Sequence, residues 1–107
     1  MTITKDYEGL QLIEDEYYKL DCDLMSNEDM SIELDKPLRV CGNIKAEGSI
    51  FADHEIIAKG NITAEGYIYT GGNVIAKGNI TAKRKINAEG YIFAGGDITA
   101  KGSITAM

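Results

Sequence analysis

The chain has 107 residues, one proline, twelve glycines, no tryptophan and a formal net charge of −6, enough for one domain around one core. No apolar stretch approaches the length of a membrane-spanning helix, and the opening MTITKDYEGLQLIEDEYY lacks the basic and apolar regions of a secretory signal. Residues 1–35 hold eleven acidic residues against two basic ones, a net −9, whereas residues 36–107 hold six against nine, a net +3. Such a balance argues against a nucleic-acid or anionic-membrane ligand and for a basic protein surface as partner. Cys22 and Cys41 have neither metal-ligand spacing nor a disulfide framework, so a cytoplasmic protein with free thiols and no cofactor is expected.

Taken in chain order, residues 1–41 form an acidic N-terminal cap with irregular first strands. Tyr7, Leu10, Ile13, Tyr17 and Leu20 fall on one side of a short helix, with Glu8, Glu14, Asp15 and Glu16 opposite; a strand over residues 7–17 fits equally well. From Tyr18 the apolar residues alternate through Leu20, Cys22 and Leu24, then Met30, Ile32 and Leu34, then Leu38 and Val40. That parity predicts a core position for Cys22. Ser26–Asp29 reads as a loop and Lys36–Pro37 as a corner. Glu14, Asp15, Glu16, Asp21, Asp23, Glu28 and Asp29 are the candidate partner-binding acids. They lack the ligand order and turn glycine of an EF-hand loop, so no metal is expected.

From Gly42 the chain divides into eleven sixes without insertion: GNIKAE, GSIFAD, HEIIAK, GNITAE, GYIYTG, GNVIAK, GNITAK, RKINAE, GYIFAG, GDITAK, GSITAM. The third position is Ile except at Val74, the fifth Ala except at Thr70, and the first Gly except at His54 and Arg84. Ile and Ala share one parity, which means strand, and β-branched Ile suits a pleated wall. A unit too short to bury its own apolar face must stack on copies of itself. The fold class is therefore all-β: a single-stranded, triangular, parallel β-helix with about 18 residues per turn, three hexads to a turn. Ile fills the interior, Ala keeps it narrow, and Gly is expected to let the backbone bend near a corner.

Residues 42–64 match residues 60–82 at an offset of 18, but residues 60–82 match residues 84–106 only at 24. One hexad is extra, and it rotates the surface pattern by one face while leaving the interior unchanged. Stacked at 18, the outward residues form three columns. One holds Lys45, Thr63, Thr81 and Thr99, with Asn43, Asn61, Asn79 and Asp97 beside it. Another holds Phe51, Tyr69, Asn87 and Thr105. The third holds Ile57, Ile75 and Phe93, flanked by Tyr91, and such an exposed apolar stripe is expected to be covered, with the helix-or-strand segment near residues 7–17 as the cover. The pattern is still running at GSITAM, so Ile98, Ile104 and Ala106 are expected to stand open. A C-terminal-to-C-terminal homodimer follows from two-fold symmetry.

The run G-x-I-x-A-x from Gly42 to Met107 resembles the bactofilin type of polymer-forming β-helix repeat. The resemblance implies a right-handed, triangular, cytosolic helix that self-associates. Left-handed hexapeptide-repeat acyltransferases place a small residue four after the aliphatic one, whereas here Ala comes two after Ile. Their general base is a histidine, and His54 is the one histidine, in a corner slot beside Glu55. Three functions are therefore carried forward. The first is a non-enzymatic protein whose acidic β-helix rod occupies a basic, nucleic-acid-binding surface of another protein, in the manner of small phage-type inhibitors such as anti-CRISPR proteins. The second is a bactofilin-like structural scaffold. The third and most remote is an acyltransferase.

Overall fold

A computed structural model describes all residues from Met1 to Met107 as a solenoid of parallel sheets with no helix. Two short strands come first, β1 (Thr2–Ile3) and β2 (Gln11–Ile13). Five turns of three strands follow. The first is β3 (Tyr17–Leu20), β4 (Leu24–Ser26) and β5 (Met30–Ile32). The second is β6 (Leu38–Val40), β7 (Ile44–Ala46) and β8 (Ile50–Ala52). The third is β9 (Ile56–Ala58), β10 (Ile62–Ala64) and β11 (Ile68–Thr70). The fourth is β12 (Val74–Ala76), β13 (Ile80–Ala82) and β14 (Ile86–Ala88). The fifth is β15 (Ile92–Ala94), β16 (Ile98–Ala100) and β17 (Ile104–Ala106).

Three sheets run along the solenoid, in the strand orders β1-β5-β8-β11-β14-β17, β4-β7-β10-β13-β16 and β2-β3-β6-β9-β12-β15. From the third turn onward every Ile lies over the residue 18 earlier, as in Ile62 over Ile44 and Ile80 over Ile62. The register stays at 18 across the extra hexad, with Thr81 paired to Thr99 and Ile75 to Phe93. The first turn is longer: Leu24 pairs with Ile44 and Met30 with Ile50. Its two additional residues lie in the link from β5 to β6, around Lys36–Pro37. The wider loop admits larger inward side chains than Ala, namely Leu20, Ile32 and Leu34, all buried.

The segment near residues 7–17 is a hairpin, not a helix. β2 pairs antiparallel with β3, Leu12 opposite Tyr18. Helical spacing and strand alternation both fit this stretch; pairing to the edge of β3 satisfies its backbone groups and decides between them. Cys22 is exposed, contrary to its parity. β3 ends at Leu20 and β4 starts at Leu24, so Asp21–Asp23 turn a corner where the alternation of a strand no longer applies.

The repeat glycines have a different cause from the one expected. Among all glycines only Gly9 has positive φ, at 87°. What the corners require is room. Asn43 Oδ1 accepts the backbone N–H of Asn61 at 2.7 Å, and Asn61 accepts that of Asn79 and Asn79 that of Asp97, each at 2.8 Å. Asp23, Asp29, Ser49 and Asn73 do the same for Asn43, Ser49, Tyr67 and Tyr91. In all seven cases the residue just before the donor is Gly, and a Cβ there would collide with the accepting oxygen. His54 and Arg84 lie one turn above the links that hold Pro37 and Tyr67, which offer no short acceptor, so glycine is not demanded. Arg84 instead lies over the Tyr67 ring, 5.7 Å from its centroid.

Two substitutions test this coupling. Gly78→Ala expels the Asn61 side chain and strands the Asn79 N–H, so urea unfolding should show a loss of about 1–3 kcal/mol. At Gly102 an added Cβ would meet no side-chain acceptor, only Lys85 Cγ at 3.1 Å and the Arg84 carbonyl C and O at 3.2 Å, close contacts without a collision. Gly102→Ala should therefore shift stability by about 0.5 kcal/mol or less. Equal losses would mean that the glycines serve the bend.

Candidate interaction surfaces

The acids of residues 1–35 form a collar around the first turn. Glu14, Asp15 and Glu16 form the tip of the β2–β3 hairpin, Asp21 and Asp23 the corner between β3 and β4, and Glu28 and Asp29 the corner between β4 and β5. All seven are exposed. Their engagement differs. Asp23 and Asp29 accept backbone N–H groups of the second turn. Glu28 pairs with the N-terminal ammonium at 3.5 Å, Asp21 with Lys19 at 3.3 Å and Asp15 with Lys36 at 3.9 Å. Glu14 and Glu16 have no ion pair within the chain.

The hairpin tip is strained. Glu14 and Asp15 have φ of 51° and 57°, the left-handed region, and Glu16 N–H closes the turn on Ile13 O at 2.9 Å. Hairpin turns of this kind favour Asn-Gly or Asp-Gly. Holding non-glycine residues there costs of order 1–3 kcal/mol each. The left-handed turn was not legible in the sequence, because Glu-Asp is not a turn signal.

The apolar stripe is uncovered. β2 and β3 extend the end of the sheet that carries it and do not lie across it. The antiparallel pairing that overrides the helix places them there. Ile57 and Ile75 are half-buried, while Phe93 and Tyr91 are 57 % and 54 % exposed. In the other direction the same column continues as Arg39 and Lys19. On the fifth turn Ile98 and Ile104 are 36 % and 48 % exposed, and Ala106 is exposed. Outside β8 and β11 three rings stack: Phe51 on Tyr69 at 5.6 Å, and Tyr69 on Tyr67, in the link before β11, at 5.3 Å.

His54 is exposed in the link between β8 and β9. No three His, Cys, Asp or Glu side chains converge as a metal-binding group. No family model matches the chain, and neither the curated proteins nor the solved structures compared with it contain a match.

One contact closes the first turn on itself. Tyr18 is buried in β3, and its hydroxyl donates to Asp35 Oδ1 at 3.0 Å. That hydrogen bond, assisted by Lys36, holds the Asp35 carboxyl below its ordinary range. A depressed carboxylate contributes stability above its unfolded pKa and loses it as pH falls through the folded value. The melting temperature of Tyr18→Phe should therefore fall below wild type at neutral pH. The gap should narrow as the pH is lowered to roughly 3, just below the unfolded Asp value. A gap independent of pH would mean that the hydroxyl acts through packing alone.

Proposed function

We propose that the chain is a non-enzymatic interaction protein that docks its acidic first turn into a basic surface of a partner protein. The observation that carries the reading is the Ile13–Glu16 turn, where two carboxylate residues occupy a conformation that Asn-Gly would hold with less strain. Strain kept at a protruding, charged tip supports the reading of a site selected for contact over stability. The collar around it, net −9 over residues 1–35, supplies long-range attraction to a cationic site. A nucleic-acid-binding groove is one such site, since a ring of carboxylates on a narrow end presents closely spaced negative charge, as a duplex does. The molecule measures 35 × 27 × 20 Å, so the body is a short prism and the acidic end, more than the flank, is the contact.

The trade-off gives the test. Glu14→Asn with Asp15→Gly should stabilise the chain by about 1–2 kcal/mol in urea unfolding while weakening capture of its partner from the native host. Charge reversal of Glu14, Asp15 and Glu16 to Lys should abolish capture at moderate salt. Capture that survives both variants overturns the reading.

The unbroken register of the repeat favours a second reading, a self-associating scaffold of the bactofilin kind. The outer edges of β15, β16 and β17 are unpaired, and Ile98, Ile104 and Ala106 lie beside them. A second copy meeting this surface by a two-fold axis buries the same patch on both partners. Ile104→Lys should then convert a dimer to a monomer in light scattering. A wild-type mass of one chain excludes the dimer, and filaments in electron microscopy would select the polymer.

A further inference from the structure

The sheet that carries the apolar stripe changes character along its length. Towards the first turn a groove of about 350 Å³ opens between the columns, with Tyr17, Val40, Ile57 and Ala58 in its lining. Four cations border it. The Arg39 guanidinium lies over the Tyr17 ring, 3.8 Å from the centroid. Lys19 is held by Asp21 at 3.3 Å. Lys59 and Lys77 stand in the column beside Ile57 and Ile75, directly after register partners Ala58 and Ala76, so their backbones are one rung, about 4.8 Å, apart. Neither lysine has an ion pair within the chain.

Two like charges one rung apart, beside an apolar lining, disfavour each other and attract an anion. They do so in a protein with an excess of acids, where a carboxylate partner would have been easy to supply. We propose that this groove binds a small amphipathic anion, a compound with one acidic head and a flat or alkyl body. The body lies on Ile57 beside the Arg39–Tyr17 stack, and the head lies between the Lys59 and Lys77 ammoniums. The volume falls within the range of small-ligand clefts, about 300–1,000 Å³. A long acidic peptide is the poorer occupant, because its chain would run onto Glu16 and Asp21, which flank Tyr17 and Lys19. The other basic cluster, Lys83, Arg84, Lys85 and Lys101 around Tyr67, has one aromatic ring and no aliphatic lining, and serves as the control.

The probe is the anionic dye 1-anilinonaphthalene-8-sulfonate, titrated by fluorescence into the full chain. One saturable site is expected, weakened about tenfold or more by Lys59→Glu with Lys77→Glu. Lys83→Glu with Arg84→Glu should change it by about twofold at most. Cys41, half-buried in the groove, gives a second readout that needs no charge variant. In a Cys22→Ser background, hexanoate should slow its alkylation by iodoacetamide and hexylamine should not. Dye binding that survives Lys59→Glu with Lys77→Glu, or protection by hexylamine equal to that by hexanoate, overturns the proposal. Neither readout depends on the acidic hairpin tip, so the outcome is separate from that of the partner-binding reading.

Discussion

The solenoid depends on one contact repeated at its corners: a short side-chain oxygen in one turn accepts a backbone N–H in the next, beneath a glycine. Strand ladders join successive turns along the flat walls, and the corner glycines continue them, as in Gly60 N–H to Gly42 O at 2.9 Å, but the residue after each such glycine has no backbone acceptor. Its N–H must find an acceptor or face water. Asn43, Asn61 and Asn79 supply one, turn after turn, at 2.7–2.8 Å. The acceptor can reach only if the residue above has no Cβ. Gly and Asn in G-N-I are therefore two halves of one interaction between different turns, 17 residues apart in the chain for Asn43 and Gly60. With the corners held, each Ile falls on an Ile and the core becomes a set of columns.

The same coupling constrains the acidic end. Asp23 and Asp29 belong to the corner machinery, as charged versions of the Asn acceptors. Part of the charge that looks like a binding surface is thus framework, since a carboxylate accepting an N–H makes a stronger bond than an amide does. What lies outside the framework is the hairpin tip, where Glu14 and Asp15 are held at positive φ. Separating the two kinds of acid narrows the contact surface from seven residues to a tip of three, with Asp21 and Glu28 as neighbours on the collar.

The repeat was legible because its signal is periodic and local. Columns of Ile, the 18-residue turn, and the outward order Lys45, Thr63, Thr81, Thr99 all follow from parity and offset, and the register agrees residue by residue. The cap was less legible because its alternation breaks where strands end. Cys22 has the parity of Leu20 and Leu24 yet sits on a corner. The segment at residues 7–17 satisfies two periods at once, and only the partner edge of β3 selects one. The groove beside Ile57 was invisible for another reason. Its cations Lys19, Arg39, Lys59 and Lys77 come from four different turns, and no short window of sequence brings them together.

The extra hexad shows how such a chain separates folding from surface design. GYIYTG and GYIFAG are nearly the same phrase, yet they lie on different sheets. In the first, Tyr67 and Tyr69 form a stack with Phe51, and Arg84 comes to rest over Tyr67. In the second, Tyr91 and Phe93 follow Asn73 and Ile75 in their columns and remain more than half exposed. The interior cannot distinguish the two placements, because every hexad presents Ile and a small residue to it. The packing cost of moving a surface motif by one face is therefore small. The cost that remains is at the corner, where any short acceptor must meet a glycine one turn above. Tyr67 is not a short acceptor, and Arg84 is not a glycine. The seam thus falls where the corner rule is already relaxed, which is why a shifted repeat can be joined there without breaking the columns.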